Sequence, residues 1–175
     1  MQAKHDELPT SPGALVEVYG LGVFLSGESG SGKSDLVLEL LDRGHALIAD
    51  DAVALHREGE HLHGYCPPPL RGLVAARGLG ILDVAAHFGA DRVRDRAVIS
   101  LCIALQGQVS APPLAEAWGS RTIMSVAVPC LELGPGRNRP LLVELAVREL
   151  SRRRQGMHTQ AAFVAAQKKA VERKR

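Results

Sequence analysis

Eight consecutive residues, Gly27-Glu28-Ser29-Gly30-Ser31-Gly32-Lys33-Ser34, match the pattern G-x-x-x-x-G-K-[ST] without deviation. Glycines at these places let the backbone wrap closely, so that successive N–H groups point inward at a phosphate. Lys33 then supplies a point charge for β- and γ-phosphates, and the Ser34 hydroxyl is a hard oxygen donor suited to Mg²⁺. A helix opening at Ser34 adds the positive end of its dipole. A second pair, Asp50-Asp51, follows seventeen residues after Lys33. Carboxylates at the end of a strand beside a phosphate loop are where phosphoryl transfer holds its metal or its general base. Two adjacent aspartates on a strand point in different directions, so one can face a metal and the other an acceptor hydroxyl.

The loop has meaning only between a strand and a helix, and both are legible. VEVYGLGVFLSG places two β-prone runs around a turn at Tyr19–Gly22, and its second run, Val23–Ser26, feeds the glycine cluster. Leu36, Val37, Leu40 and Leu41 then recur at helical spacing, and Arg43–Gly44 end that helix with a basic last turn and a C-terminal glycine. HALIADD reads as a short buried strand ending in the two carboxylates, and AVALHREGEHLHG as a hairpin turning at Glu58–Gly59. Cys66–Pro69 is a rigid loop, Leu70–Ala76 a short helix, and Ala97–Leu105 a central strand, its apolar run nearly unbroken. Gln106–Ser120 reads as a flexible loop, Val126–Leu133 as a strand and Gly134–Pro140 as a tight turn. Leu141–Arg153 follows as an amphipathic helix, its period set by Leu142, Leu145, Ala146, Glu149 and Leu150, and Thr159–Lys174 as a last helix. The class is α/β: a phosphate-loop domain with a mixed sheet, flanking helices and two C-terminal helices. Residues 1–12 form a flexible leader, 13–158 the domain, and 159–175 a basic tail.

Composition sets the outer limits. The chain has 175 residues, 46% hydrophobic and 23% charged, with a net charge of +2, which suits one folded domain and excludes a disordered tail protein. No stretch approaches the ~18 apolar residues of a membrane span, the N-terminus lacks the order of a secretory signal, and a cytoplasmic protein is expected. Cys66, Cys102 and Cys130 are too few and too scattered for a disulfide framework or zinc site. Residues 148–175 hold nine Lys or Arg against two acids, leaving an acidic body. Such an end attracts anionic partners, nucleic acid least, since the whole chain has only six aromatics. His45, between helix cap and strand, reads as structural. His61 and His63 share a hairpin face with no third ligand evident. Trp118 is a packing anchor or a contact.

With those motifs in view, the chain resembles the catalytic domain of bacterial HPr kinase/phosphorylase. The resemblance is carried by YGLGVFLSGESGSGKSDLVLELLDRGHALIADD, CPPPLRGLVAARGLGILDV, FGADRVRDR, VPCLELGPGRN with LLVELAVREL, and GMHTQAAFVAAQKK. It implies a phosphate-loop kinase fold assembling into hexamers, and transfer of phosphate from ATP to a serine of HPr, the carrier protein of the sugar phosphotransferase system. It also implies the reverse reaction with inorganic phosphate, with pyrophosphate as a further ligand. Gly27 through Ser34 would bind ATP, Ser34 and Asp50 would hold Mg²⁺, and Asp51 would act as base toward the serine and as acid in reverse. Arg77, Gly78 and Gly80, with Gly136, Arg137 and Asn138, belong to family segments tied to catalysis. Full-length members carry a further N-terminal domain, and short forms are also known.

The sequence departs from the family at three side chains and in the length of one turn. A catalytic His-Gly reads Pro12-Gly13, a Mg²⁺-associated Glu reads Ala75, and an active-site Arg reads Ala117, with Arg121 four positions on. The PGRN turn is two residues shorter. Two alternatives therefore stand beside the kinase: an ATP-binding regulatory module with weakened catalysis, and a kinase for a different hydroxyl.

Overall fold

The computed structural model describes residues 8–107, 118–136, 138–157 and 162–166. Eleven strands and three α-helices are named among these residues. β1 (Thr10–Pro12), β2 (Ala14–Val18) and β3 (Leu21–Gly27) lead into α1 (Lys33–Asp42). β4 (Ala46–Ala49), β5 (Ala52–Glu58), β6 (His61–Tyr65), β7 (Leu73–Ala76) and β8 (Gly80–Asp83) precede α2 (Val84–Phe88). β9 (Arg96–Leu105), β10 (Trp118–Ile123), β11 (Val126–Leu133) and α3 (Arg139–Arg154) complete it.

The main sheet is mixed and runs β1-β5-β6-β9-β3-β2-β4, with β11 on β9 and β10 on β11. β9 is its hub, as its apolar run predicts: it pairs antiparallel with β6, and parallel with both β3 and β11. Alternation along the strands splits the core in two. Ala14, Val16, Val23, Leu25, Leu101 and Ile103 meet Leu36, Val37 and Leu40 of α1 and Val143, Val147 and Leu150 of α3. Leu15, Phe24 and Cys102 point the other way, onto Val53, Leu55 and Leu62 from the β5–β6 arm.

α1 ends as its sequence dictates. The His45 N–H reaches the Leu40 carbonyl and the Gly44 N–H the Leu41 carbonyl, each at 3.0 Å, closing a Schellman motif around Gly44 at φ 100°. The β2–β3 and β5–β6 hairpins form where expected, the latter turning at Gly59–Glu60 because Glu58 still pairs with His61.

Several expectations are corrected. Thr10–Pro12 is not leader but an edge strand on β5, where a proline's missing N–H is tolerated. Leu73–Ala76 is a strand paired with β8, not a helix. The apolar face of α3 is rotated from the expected one: Ala146 and Leu150 are buried as expected, but with Val143 and Val147, whereas Leu142 and Leu145 are exposed. The Gln106–Ser120 loop ends earlier than expected, at the Trp118 that opens β10, and its residues 108–117, with Ala117, lie outside the described residues. Of the last helix and basic tail, residues 162–166 are helical and exposed, and the remainder of 158–175 lies outside the described residues. No helix among the described residues is long and apolar enough to cross a membrane.

Candidate functional site

The phosphate loop joins β3 to α1. Its shape depends on glycine. At Gly27 (φ 149°) a Cβ would stand 2.7 Å from the Leu105 carbonyl oxygen and 2.8 Å from Ser31 Oγ, and Gly30 and Gly32 hold φ of 80° and 88°. The chain thus curls with its N–H groups inward and opens α1 at Lys33. Lys33 Nζ donates to the carbonyls of Gly27 (2.9 Å) and Glu28 (2.8 Å), so the ammonium lies across the loop. Ser34 Oγ donates to both Asp50 oxygens, at 3.2 and 3.0 Å.

The two aspartates separate by a means other than strand alternation. They form the tight turn between β4 and β5, closed by the Ala52 N–H on the Asp50 carbonyl at 2.9 Å. Asp51 adopts φ 69°, a left-handed conformation that Asp tolerates better than most residues. The Gly13 N–H holds the Asp51 carbonyl at 3.0 Å. Asp50 consequently turns inward and is only 5% exposed, fixed by Ser34 and by the Ala75 N–H at 3.2 Å. Asp51 is exposed in the cleft. A backbone held in this uncommon region beside a phosphate loop is the kind of strain that clusters at functional sites.

A cleft of about 460 Å³ gathers the loop, Asp51, Pro12, Ala75, Arg77, Gly78, Gly80 and Ile81. The β7–β8 hairpin forms one wall, with Leu79 77% and Ile81 66% exposed at its tip. Across the loop a second hollow, about 400 Å³, is bounded by Glu28, Ser29, Ser31, Gln106, Pro135 and Arg139. Gly136 and Asn138 lie outside the main cleft, on the turn that enters α3 on this second side, and Arg137 is outside the described residues.

Arg139 was not anticipated. Its guanidinium donates to the carbonyls of Ser31 (2.8 Å), Gly134 (2.7 Å) and Gln106 (3.4 Å), tying the loop to the ends of β9 and β11. The available signal was a cation in the first turn of a helix, where the dipole disfavours it.

The donor set fits a nucleotide with Mg²⁺. Ser31 Oγ is buried in the loop without a hydrogen-bond partner, the loop is a cradle that side chains at Gly27 would fill, and Ser34 with Asp50 presents hard oxygens. Among the described residues no three His, Cys, Asp or Glu side chains converge on a metal position. That suits Mg²⁺, which takes one or two protein oxygens and completes its shell with phosphate and water.

Phosphate loop, carboxylate pair and mixed sheet together define a phosphate-loop kinase-type domain. Residues 7–167 match the family described as HPr Serine kinase C-terminal domain; the chain belongs to that family. It is 40% identical over 165 residues to an HPr kinase/phosphorylase of Nitrosomonas europaea, covering 89% of this chain and 50% of that protein. To an HPr kinase/phosphorylase of Bordetella petrii it is 39% identical over 168 residues, covering 93% and 54%. The chain thus spans about half the length of these curated relatives. The solved structure of the Hpr(Ser) kinase/phosphatase from Coxiella burnetii superposes with TM-score 0.78 at 34% identity, covering 84% of this chain and 99% of that one.

Proposed function

We propose that the domain transfers the γ-phosphoryl group of ATP to a serine hydroxyl of an HPr-type phosphocarrier protein and runs the reverse reaction with inorganic phosphate. The observation that carries this reading is one cleft containing the phosphate loop and the out-turned Asp51, with Asp50 fixed beneath Ser34. The N–H groups of Gly27 through Ser34 grip the triphosphate, and Lys33 swings from its loop carbonyls to the β- and γ-phosphates. Ser34 and Asp50 hold the cation. When bound, Mg·ATP supplies the phosphoryl group and the charge neutralisation that makes its transfer feasible. Asp51 accepts the proton of the incoming serine and returns it in reverse. Family membership further supports a cytoplasmic protein acting as a hexamer, with pyrophosphate as a second ligand of the loop.

A second reading has its own observation. Pro12 and Ala75 line the cleft where relatives of the family have a histidine and a glutamate, and the Ala75 backbone alone serves Asp50. This favours a nucleotide-binding regulatory module with slow or no transfer, or a kinase for another hydroxyl. Incubation with labelled ATP, Mg²⁺ and HPr separates the readings. The kinase reading expects label on HPr that Lys33→Ala abolishes. Mg·ATP stabilisation without label on any hydroxyl acceptor would establish the module instead.

A further inference from the structure

Behind the phosphate loop, two of the three cysteines stand side by side. Cys102 of β9 and Cys130 of β11 are register partners on adjacent parallel strands, so both side chains leave the same face of the sheet. They pack in the same apolar cluster, Cys102 fully buried and Cys130 half-buried. Strands lie about 4.8 Å apart, within the Cα separations that a disulfide spans. Two polar groups intrude on this otherwise apolar place. Arg121 of β10 donates through Nη1 to Ser26 Oγ at 3.0 Å and reaches Cys102 Sγ at 4.0 Å. Ser26 Oγ lies 3.7 Å from the same sulfur. Ser26 and Cys102 can share a hydrogen bond in either direction, and a Cys102 thiolate would accept it from the Ser26 hydroxyl.

We propose that Cys102 and Cys130 form a peroxide-reactive dithiol that closes reversibly into a disulfide. This function lies beyond nucleotide chemistry and does not depend on it. Within the pair Cys102 is the thiol held below its ordinary value, first by the hydrogen bond from Cys130 and then by Ser26 and Arg121, against the opposing effect of burial. Cys130 is raised, by its hydrogen bond to Cys102 and by burial, and keeps its proton. Cys66 provides the contrast, since burial pushes it up to about 11 with Arg71 only partly offsetting that. Thiolate character at neutral pH distinguishes a reactive cysteine from an inert one.

The chemistry balances. The Cys102 thiolate attacks one oxygen of hydrogen peroxide, the O–O bond breaks, and the departing hydroxide takes a proton to leave as water. The resulting sulfenic acid is attacked by the Cys130 sulfur, which loses its proton, and a second water departs. Sulfur is oxidised from two thiols to one disulfide, and peroxide is reduced to two waters. The half-buried Cys130 and the exposed Arg121 form the side on which the pair meets solvent. A thiol donor such as glutathione or thioredoxin reopens the bond. Closure also removes the sulfur anion beside Arg121 and Ser26, the residue that precedes Gly27.

The experiment is peroxide treatment of the folded chain under native conditions, followed by alkylation, digestion and mass spectrometry. The expected product is a Cys102–Cys130 linked peptide that dithiothreitol reverses, with Cys66 still free. Cys102→Ser and Cys130→Ser each remove that product, and Cys66→Ser leaves it unchanged. In the reduced protein, Arg121→Gln raises the pH midpoint for Cys102 alkylation and slows closure about tenfold. If peroxide leaves three free thiols, or consumes Cys66 before the pair, the proposal is wrong. The wild-type peptide map decides this even if a serine variant fails to fold.

Discussion

On the nucleotide side of the cleft, side chains with buried ends hold the machinery. Ser34 bonds a 5%-exposed Asp50, Arg139 bridges three loop carbonyls, and α1 is capped by its own backbone. On the acceptor side, the walls are Pro12, the Ala75 backbone, glycines and the exposed apolar tip of β7–β8. Asp51 is exposed in this cleft, whose lining also includes Asp35 and Arg77. On the proposed reading, binding and transfer are supported separately: the first by a rigid hydrogen-bonded frame, the second by Asp51 on the open side of the cleft. Changes on one side should therefore leave the other measurably intact.

The largest expected effect is on transfer. Asp51→Asn should cut phosphorylation of HPr by ~10²–10⁴-fold, the usual cost of an acid–base group, while titration calorimetry finds Mg·ATP affinity within about twofold of wild type. Equal loss of both would end the separation. In the opposite direction, Pro12→His combined with Ala75→Glu should raise transfer by on the order of 10²-fold in the same assay. No gain would show that the acceptor side is limited by something other than these two side chains.

Stability tests the frame beneath α1. Glu144, 4% exposed, accepts from Arg43 at 2.7 and 2.5 Å and lies 3.0 Å from His45 Nε2. Its carboxyl is held down from 4.5 to about 2, chiefly by the Arg43 hydrogen bonds, then by His45, with burial opposing. A depressed carboxyl stabilises the fold above its unfolded value and loses that contribution as pH falls through the folded one. Denaturant titrations should show stability falling between pH ~4.5 and ~2. In Glu144→Gln that acid limb should flatten, and about 1–3 kcal/mol should be missing at neutral pH.

The smallest effect sharpens the nucleotide side. Arg139→Ala removes the partner of the Ser31, Gly134 and Gln106 carbonyls at a half-buried position, at about 1 kcal/mol. Nucleotide affinity should fall about fivefold in calorimetry, with the rate of transfer at saturation unchanged.

Much of the nucleotide side was legible because its chemistry is local. Phosphate loop, strand, helix and C-terminal glycine lie within one short run, and each element requires particular residue types at fixed offsets. What eluded the sequence depends on contacts between distant segments. Leu70–Ala76 has no period to favour strand over helix, and its pairing partner β8 decides. The helix α3 carries leucines on more than one side, so spacing alone adds Leu142 and Leu145 to Ala146 and Leu150, whereas the core takes Val143 and Val147 with those two. β1 is three residues long and exists only because β5 offers an edge. The opposed aspartates were expected correctly, but their separation comes from a turn at positive φ rather than from strand alternation. Trp118 proves to be a packing anchor, with the Arg153 guanidinium 4.6 Å above its ring. Nothing in either residue's neighbours in sequence announces that pair.

The most direct test is calorimetric titration of Mg·ATP into the folded chain, alongside Lys33→Ala and Gly27→Val. Saturable one-site binding is predicted for the wild type. Lys33→Ala should weaken it strongly, because the loop loses its cation. Gly27→Val should abolish it, because a side chain there meets the Leu105 carbonyl and Ser31. A folded wild-type protein that ignores Mg·ATP, or a Lys33→Ala variant that binds equally well, would contradict the cradle on which the account rests.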